Sequence, residues 1–172
     1  MSDNATDHRD DLADQLAIRD VLMRYCRSMD RMDRALGLSV WHEDGTANYA
    51  DMYEGTGAGF MDWVFLAHEG MLRHSHQITN VLVEVDGDHA VSEAYVTVVL
   101  WSLPLETPNE IISRGRYLDR WSKRDGRWAI DHREYVTDLM TVMPLPAGSL
   151  DGVAMASRRD REDVSYRVFG AA

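Results

Sequence analysis

Four long β-prone runs joined by tight turns occupy the second half of this chain, and they leave few architectures open. Residues 74–85, 90–103, 110–123 and 127–140 are rich in Val, Ile, Thr, Tyr and Trp, side chains that suit a pleated surface. Asp86-Gly87-Asp88 and Arg124-Asp125-Gly126 are hairpin turns, and a loop at 104–109 with two prolines joins the middle pair. Strands this long and this closely connected form one antiparallel sheet. At least one face of that sheet has to be covered, and the apolar material for the cover lies upstream.

Upstream, the period changes from two to 3.6. Over residues 10–36, Ile18, Val21, Leu22, Tyr25, Met29, Met32 and Leu36 recur at three- and four-residue steps and predict a helix. Asp10, Asp11 and Asp14 lie in its first turn, where the helix dipole favours negative charge, and Gly37 is its stop. A turn at Asp44-Gly45 leads into a short strand at 46–50, and residues 60–72 read as a second helix. Gly55, Gly57 and Gly59 follow a polar segment at the wrong spacing for a dinucleotide-binding loop. Helices first and strands after give an α+β class. The expected organisation is a lead-in without structure at 1–9, one domain at 10–140, and a Pro-, Gly- and charge-rich segment at 141–172. That last segment is an arm wrapping another subunit, a lid, or a disordered tail.

Bulk properties exclude several functions. A chain of 172 residues fits one domain with a sizeable core. A net charge of −11 argues against nucleic acid and anionic membrane surfaces, both of which require a basic face. The single cysteine, Cys26, rules out an intrachain disulfide and reads as a core residue. No apolar run approaches about 18 residues, and the start MSDNATDHRDD is too polar for a signal peptide. The expectation is a cytoplasmic protein with no membrane span.

Strand alternation puts His74, His76, Ile78, Asn80 and Leu82 on one face of the first long strand, and Val81, Val83 and Val85 on the other. The third strand sets Ile112, Arg114, Arg116 and Leu118 against Ile111, Ser113, Gly115 and Tyr117. These faces are mixed rather than cleanly apolar-in, polar-out. Either a strongly curved sheet encloses a pocket, or the outer face is buried in an oligomer.

The candidate chemistry centres on Asp30, at the end of the first helix, and His76, at the start of the first long strand. A carboxylate and an imidazole that meet in an apolar pocket make a general base near neutral pH. Taken singly, Asp30 is a solvated acid in a charged run, and His76 is a strand-end histidine bonded locally. His74 and His76 have H-x-H spacing, but no third ligand stands at a recognisable distance, so no metal is expected. Tyr25 and Tyr49 are donors to a substrate oxygen or core aromatics. Arg114 and Arg116 bind an anion, or pair across strands with Glu93, Asp119 or Glu134.

Several motifs resemble a known family. They are Ile18-Arg19-Asp20-Val21-Leu22-x-Arg24-Tyr25, then Met29-Asp30, Glu43-Asp44-Gly45 with Tyr49, His76-x-x-Thr79-Asn80, Gly115-Arg116-Tyr117, and Arg124-Asp125-Gly126-Arg127-Trp128-x-Ile130. Together, over about residues 10–140, they resemble the SnoaL-like branch of the nuclear transport factor 2-like superfamily. That branch includes scytalone dehydratase, bile acid 7α-dehydratase and hexachlorocyclohexane dehydrochlorinase.

The resemblance implies a cone, with a curved sheet wrapped around the N-terminal helices and a deep apolar pocket. It matches Asp30 and His76 to the family's catalytic aspartate and histidine, and Tyr25 and Tyr49 to tyrosines that contact substrate or its water. The dehydrochlorinase lysine has no counterpart in the first helix, since Lys123 is the one lysine of the chain. The implied activity is that of a lyase without a cofactor. It eliminates water or a one-carbon unit such as formaldehyde from a hydroxylated, largely apolar small molecule (an aromatic, a steroid or a polyketide). His74, Asn80 and Arg116 join Tyr25 and Tyr49 as expected substrate contacts. The alternatives are a non-catalytic assembly subunit, as in the β subunits of ring-hydroxylating dioxygenases, and an isomerase or cyclase. A homo-oligomer is implied, a trimer ahead of a dimer.

Overall fold

The computed structural model describes residues 3–102, 108–146, 148–149, 151 and 157–170. Its elements run α1 (Asp3–Arg31), α2 (Arg34–Ser39), β1 (Trp41–Asn48), β2 (Glu54–Thr56), α3 (Gly57–His68), β3 (Met71–Asp86), β4 (His89–Ser102), β5 (Asn109–Arg124), β6 (Arg127–Pro144) and α4 (Val164–Val168). The strands form one curved, unclosed sheet in the order β2-β1-β6-β5-β4-β3. The α+β class and the four long antiparallel strands therefore stand as expected. β1 adds a parallel pairing to β6, with Thr46 beside His132 and Asn48 beside Glu134.

Helix α1 starts at Asp3, inside the segment read as a lead-in. It buries Ile18, Leu22, Tyr25 and Met29, a stripe at helical spacing, and packs this face on β3. Asp14 ties the helix to the β5–β6 hairpin by accepting from Trp128 Nε1 at 2.8 Å and Lys123 Nζ at 2.9 Å. The predicted helix over 10–36 is broken in two. Met32 turns left-handed at φ +51°, and the Asp33 amide donates to the Ser28 carbonyl at 2.9 Å. This closes α1 in the manner of a Schellman turn. The Asp33 side chain then accepts from the Leu36 amide and caps α2. A Met in place of the usual Gly is why the break is invisible in the sequence.

A second irregularity decides which side chains enter the interior. Between Thr79 and Leu82 the register of β3 against β4 shifts, and Asn80 sits at φ +49°. This bulge reverses the alternation. His74, His76 and Ile78 face inward before it, and Val83 and Val85 after it, while Asn80 and Leu82 are exposed. Arg19 of α1 donates to the Val81 carbonyl at 2.9 Å and pins the bulge to the helix.

The concave side is filled by aromatic residues around one buried ion pair. Arg133 on β6 makes a two-pronged bond to Asp119 on β5, at 2.7 and 2.8 Å, with both side chains fully buried. Its guanidinium lies 4.3 Å from the Tyr25 ring centre and 4.0 Å from that of Tyr117. Tyr49 stacks between Phe60 at 4.1 Å and Tyr135 at 5.2 Å. Gly115 is needed here, since any Cβ would run into the Val136 carbonyl and the Tyr135 ring.

Removing one partner of such a pair strands a buried charge. Asp119→Ala is expected to lower stability by about 3–5 kcal/mol, and the double variant Asp119→Leu/Arg133→Met to recover most of that loss. Urea unfolding checks both. A loss under about 1 kcal/mol for the single variant contradicts the assignment of a desolvated pair.

Candidate active site

The Schellman turn leaves Asp30 in the last turn of α1, with its carboxylate pointing at β3. A helix C-terminus is an unfavourable place for an anion. Hydrogen bonds from one residue of β3 offset this. The His76 amide donates to both carboxylate oxygens, at 3.0 and 3.1 Å, and His76 Nδ1 lies 2.7 Å from Asp30 Oδ1. A carboxylate only accepts, so Nδ1 carries the proton and Nε2 carries the lone pair. Among the described residues Nε2 has no hydrogen-bond partner. The imidazole is nearly buried, with its side chain 4% exposed, and Asp30 is 18% exposed. The dyad lines a cavity of about 320 Å³ with Met23, Cys26, Arg27, Arg31 and Ile78. Burial, and secondly the charge of Asp30, push the Cys26 thiol up to about 12, so it is a neutral wall group.

Two further imidazoles stand behind His76. His74 Nδ1 donates to the Met29 carbonyl at 3.2 Å, and its ring centre lies 4.4 Å from that of His68, at the end of α3. Burial pushes His74 down to about 4 and His68 down to about 3. Both are therefore neutral near pH 7. The Nδ1 of His68 is buried and, among the described residues, has no hydrogen-bond partner.

The end of the chain folds back over this region. Arg159 donates to the His68 carbonyl at 2.6 Å and lies 3.4 Å from His74 Nε2. Arg31 Nη1 donates to the Arg158 carbonyl at 3.0 Å, and Arg31 Nε lies 3.5 Å from Asp163. Arg27 donates to Ser165 Oγ at 3.2 Å, and Tyr166 donates to Asp33 at 3.0 Å. Residues 157–170 thus lie across α1 of the same chain.

The expected site residues are thus only partly brought together. Asp30 and His76 meet in the cavity, and His74 backs them. Tyr25 and Tyr49 do not line it. Their hydroxyls face each other at 3.0 Å in the buried core, and burial raises both phenols above their ordinary pKa. Arg116 lies on the outer face of the sheet, because Gly115 and Tyr117 take the inward positions. It pairs there with Glu93 at 3.0 Å. Asn80 is exposed, because the bulge reverses the strand at that residue. Arg27 and Arg31 were read only as members of a charged run and not as site residues, although Arg27, three residues before Asp30, shares its helix face. Arg133 escaped as well. Its signal is an arginine on the strand face shared with Tyr135, opposite an aspartate flanked by Tyr117 and Trp121. Among the described residues, no cluster of His, Cys, Asp and Glu is arranged to hold a metal. Nor is any helix long and apolar enough to cross a membrane.

The SnoaL-like domain profile matches residues 10–134, and the chain belongs to that family, within the nuclear transport factor 2-like superfamily. A hexachlorocyclohexane dehydrochlorinase of type 2 is 19% identical, covering 83% of this chain and 96% of its own, with a TM-score of 0.68. A protein described as a candidate scytalone dehydratase from Novosphingobium aromaticivorans is 24% identical over 83% and 96%, with a TM-score of 0.64. A Mycobacterium tuberculosis protein of unknown function is 25% identical over 91% and 86%, with a TM-score of 0.66. No curated protein sequence matches significantly. At these identities the solved structures establish the cone-shaped fold.

The buried histidines make stability depend on pH. In the unfolded chain each takes up a proton near about pH 6.5; in the folded protein His68 and His74 do so only near 3 and 4. Between these limits the unfolded state binds more protons, so stability is full above about pH 6.5 and is lost as pH falls. The slope is at most about 1.4 kcal/mol per pH unit for each group. His68→Phe removes one of the two and is expected to flatten the pH 7 to pH 5 dependence in urea unfolding. An unchanged slope contradicts the buried neutral state of His68.

Proposed function

We propose that the protein is a lyase of the dehydratase-like kind, working without a cofactor, in which the Asp30–His76 dyad is the general base. The observation that carries this reading is the 2.7 Å bond between Asp30 Oδ1 and His76 Nδ1 at the wall of a cavity. Asp30 fixes the ring and its tautomer, and its charge favours the imidazolium that forms when Nε2 takes a proton. His76 removes a proton from a hydroxylated, largely apolar small molecule. The electron pair left behind expels a group from the adjacent carbon. Abstraction from carbon leaves an electron pair that forms an alkene as the hydroxyl on the adjacent carbon departs, taking the proton back from the His76 imidazolium as water. Abstraction from a primary hydroxyl forms the C=O of formaldehyde as the carbon–carbon bond breaks. The electron pair of that bond forms an alkene as a hydroxyl on the next carbon departs as water with the same proton. Met23, Cys26 and Ile78 supply the apolar wall. A dehydrochlorinase and a candidate scytalone dehydratase on the same fold support a lyase-type reaction.

The reading includes a homo-oligomer, with a trimer expected. Leu82, Val91 and Tyr95 are exposed on the outer face of the sheet, and Leu139, Met140, Val142 and Met143 are exposed along the end of β6. Covering such side chains stabilises assembly.

Positioned acid–base catalysis contributes about 10²–10⁴-fold. Asp30→Asn and His76→Ala are each expected to lower kcat by about that factor on a substrate found by screening hydroxylated aromatic compounds, with product analysis by mass spectrometry. Undiminished turnover in either variant removes the dyad from the mechanism. Ligand binding without any chemistry across the panel favours a binding subunit.

A further inference from the structure

Arg27 lines the dyad cavity, one helical turn before Asp30 and one after Met23. Its guanidinium is held without being neutralised. Nη1 donates to the Ser165 hydroxyl at 3.2 Å, and the Tyr166 and Phe169 rings lie 4.8 and 4.9 Å away. Among the described residues, no carboxylate pairs with it. Its neighbour Arg31 differs, being committed to Asp163 and to two backbone carbonyls. Arg27 is partly buried and lines the same cavity as the proposed base. Hydroxyl and ring partners orient a guanidinium but supply no counter-charge, and among the described residues Ser165 is its one hydrogen-bond acceptor.

We propose that Arg27 is a specificity-determining residue that binds a carboxylate of the substrate, so that the site takes a small hydroxylated aromatic acid rather than a neutral polycycle. The inference rests on the dyad cavity being the substrate site. Two features set the class. A planar guanidinium with free donors matches a carboxylate in a forked, charge-assisted pair. And a cavity of about 320 Å³ is at the small end of the range of about 300–1,000 Å³ for ligand sites, which suits one ring and a side chain. With the carboxylate on Arg27, the apolar body lies along Met23, Cys26 and Ile78, and the reacting end reaches His76 Nε2. The C-terminal arm takes part through Ser165, Tyr166 and Phe169, which hold Arg27 in place.

The test is binding, which needs no turnover. The full chain is titrated with 4-hydroxycinnamate, an alkene acid resembling an elimination product, and with its methyl ester, by calorimetry at low salt. The acid is expected to bind roughly tenfold to a hundredfold more tightly than the ester, the span of one charge-assisted contact. Arg27→Met is expected to abolish that preference while leaving ester binding within about twofold, and Arg27→Lys to keep part of it. The preference is expected to persist in His76→Ala, so a failed dyad and a failed anion site give different results. Three outcomes overturn the proposal: equal binding of acid and ester, binding of neither, or an Arg27→Met variant that melts at lower temperature yet keeps the wild-type ratio. The last would make Arg27 only an anchor for α4.

Discussion

The hydrogen bonds between Asp30 and His76 join the end of the first helix to the start of the first long strand, and the rest of the site is arranged around them. A carboxylate in the last turn of a helix opposes the helix dipole. It is tolerated here because one residue of β3 offers it both an amide and an imidazole N–H. Charge-assisted bonds of this kind are about twice as strong as neutral ones. The same contact has a chemical consequence. With the Nδ1 proton committed to Asp30, the lone pair is left on Nε2 of a ring that lines the cavity.

Behind this contact the cone is closely filled. The Arg133–Asp119 pair, gripped between Tyr25 and Tyr117, and the stacked Tyr49, Phe60 and Tyr135 fill the interior. The phenols stay neutral because burial raises them, so the interior offers no second ionised base of that kind. The cavity that holds the dyad lies between α1 and β3, where the terminal arm crosses. An arm that positions Arg27 and Arg31 therefore shapes the site as much as the strands do. His74 and His68, kept neutral by burial, back the dyad without adding charge to it.

Much of this was legible in the sequence. The four long strands and both hairpins announced themselves through β-branched runs and Asp-Gly turns. Asp30 and His76 were legible as a pair through the family resemblance, since taken singly each reads as an ordinary charged-run or strand-end residue. Three features were not legible, each for a physical reason. The parallel pairing of β1 with β6 joins segments about 85 residues apart in the register, and no local pattern encodes it. The bulge at Asn80 carries no Gly, so simple alternation kept Asn80 and Leu82 on one face with His74 and His76, and the valines on the other. The break of the first helix uses a left-handed Met rather than Gly37. Arg116 was expected to contact substrate, but Gly115 and Tyr117 take the inward positions of that strand. Arg133, two strand positions from Tyr135, occupies the interior.

The central claim is that Asp30 sets His76 up as a base through one tautomer. The most direct measurement is the ¹⁵N NMR spectrum of the His76 ring in the full-length protein, recorded where the imidazole is neutral. The account predicts a protonated Nδ1 and an unprotonated Nε2 in the wild type, with that preference weakened in Asp30→Asn. A wild-type ring protonated at Nε2, with its lone pair turned toward Asp30, would contradict it.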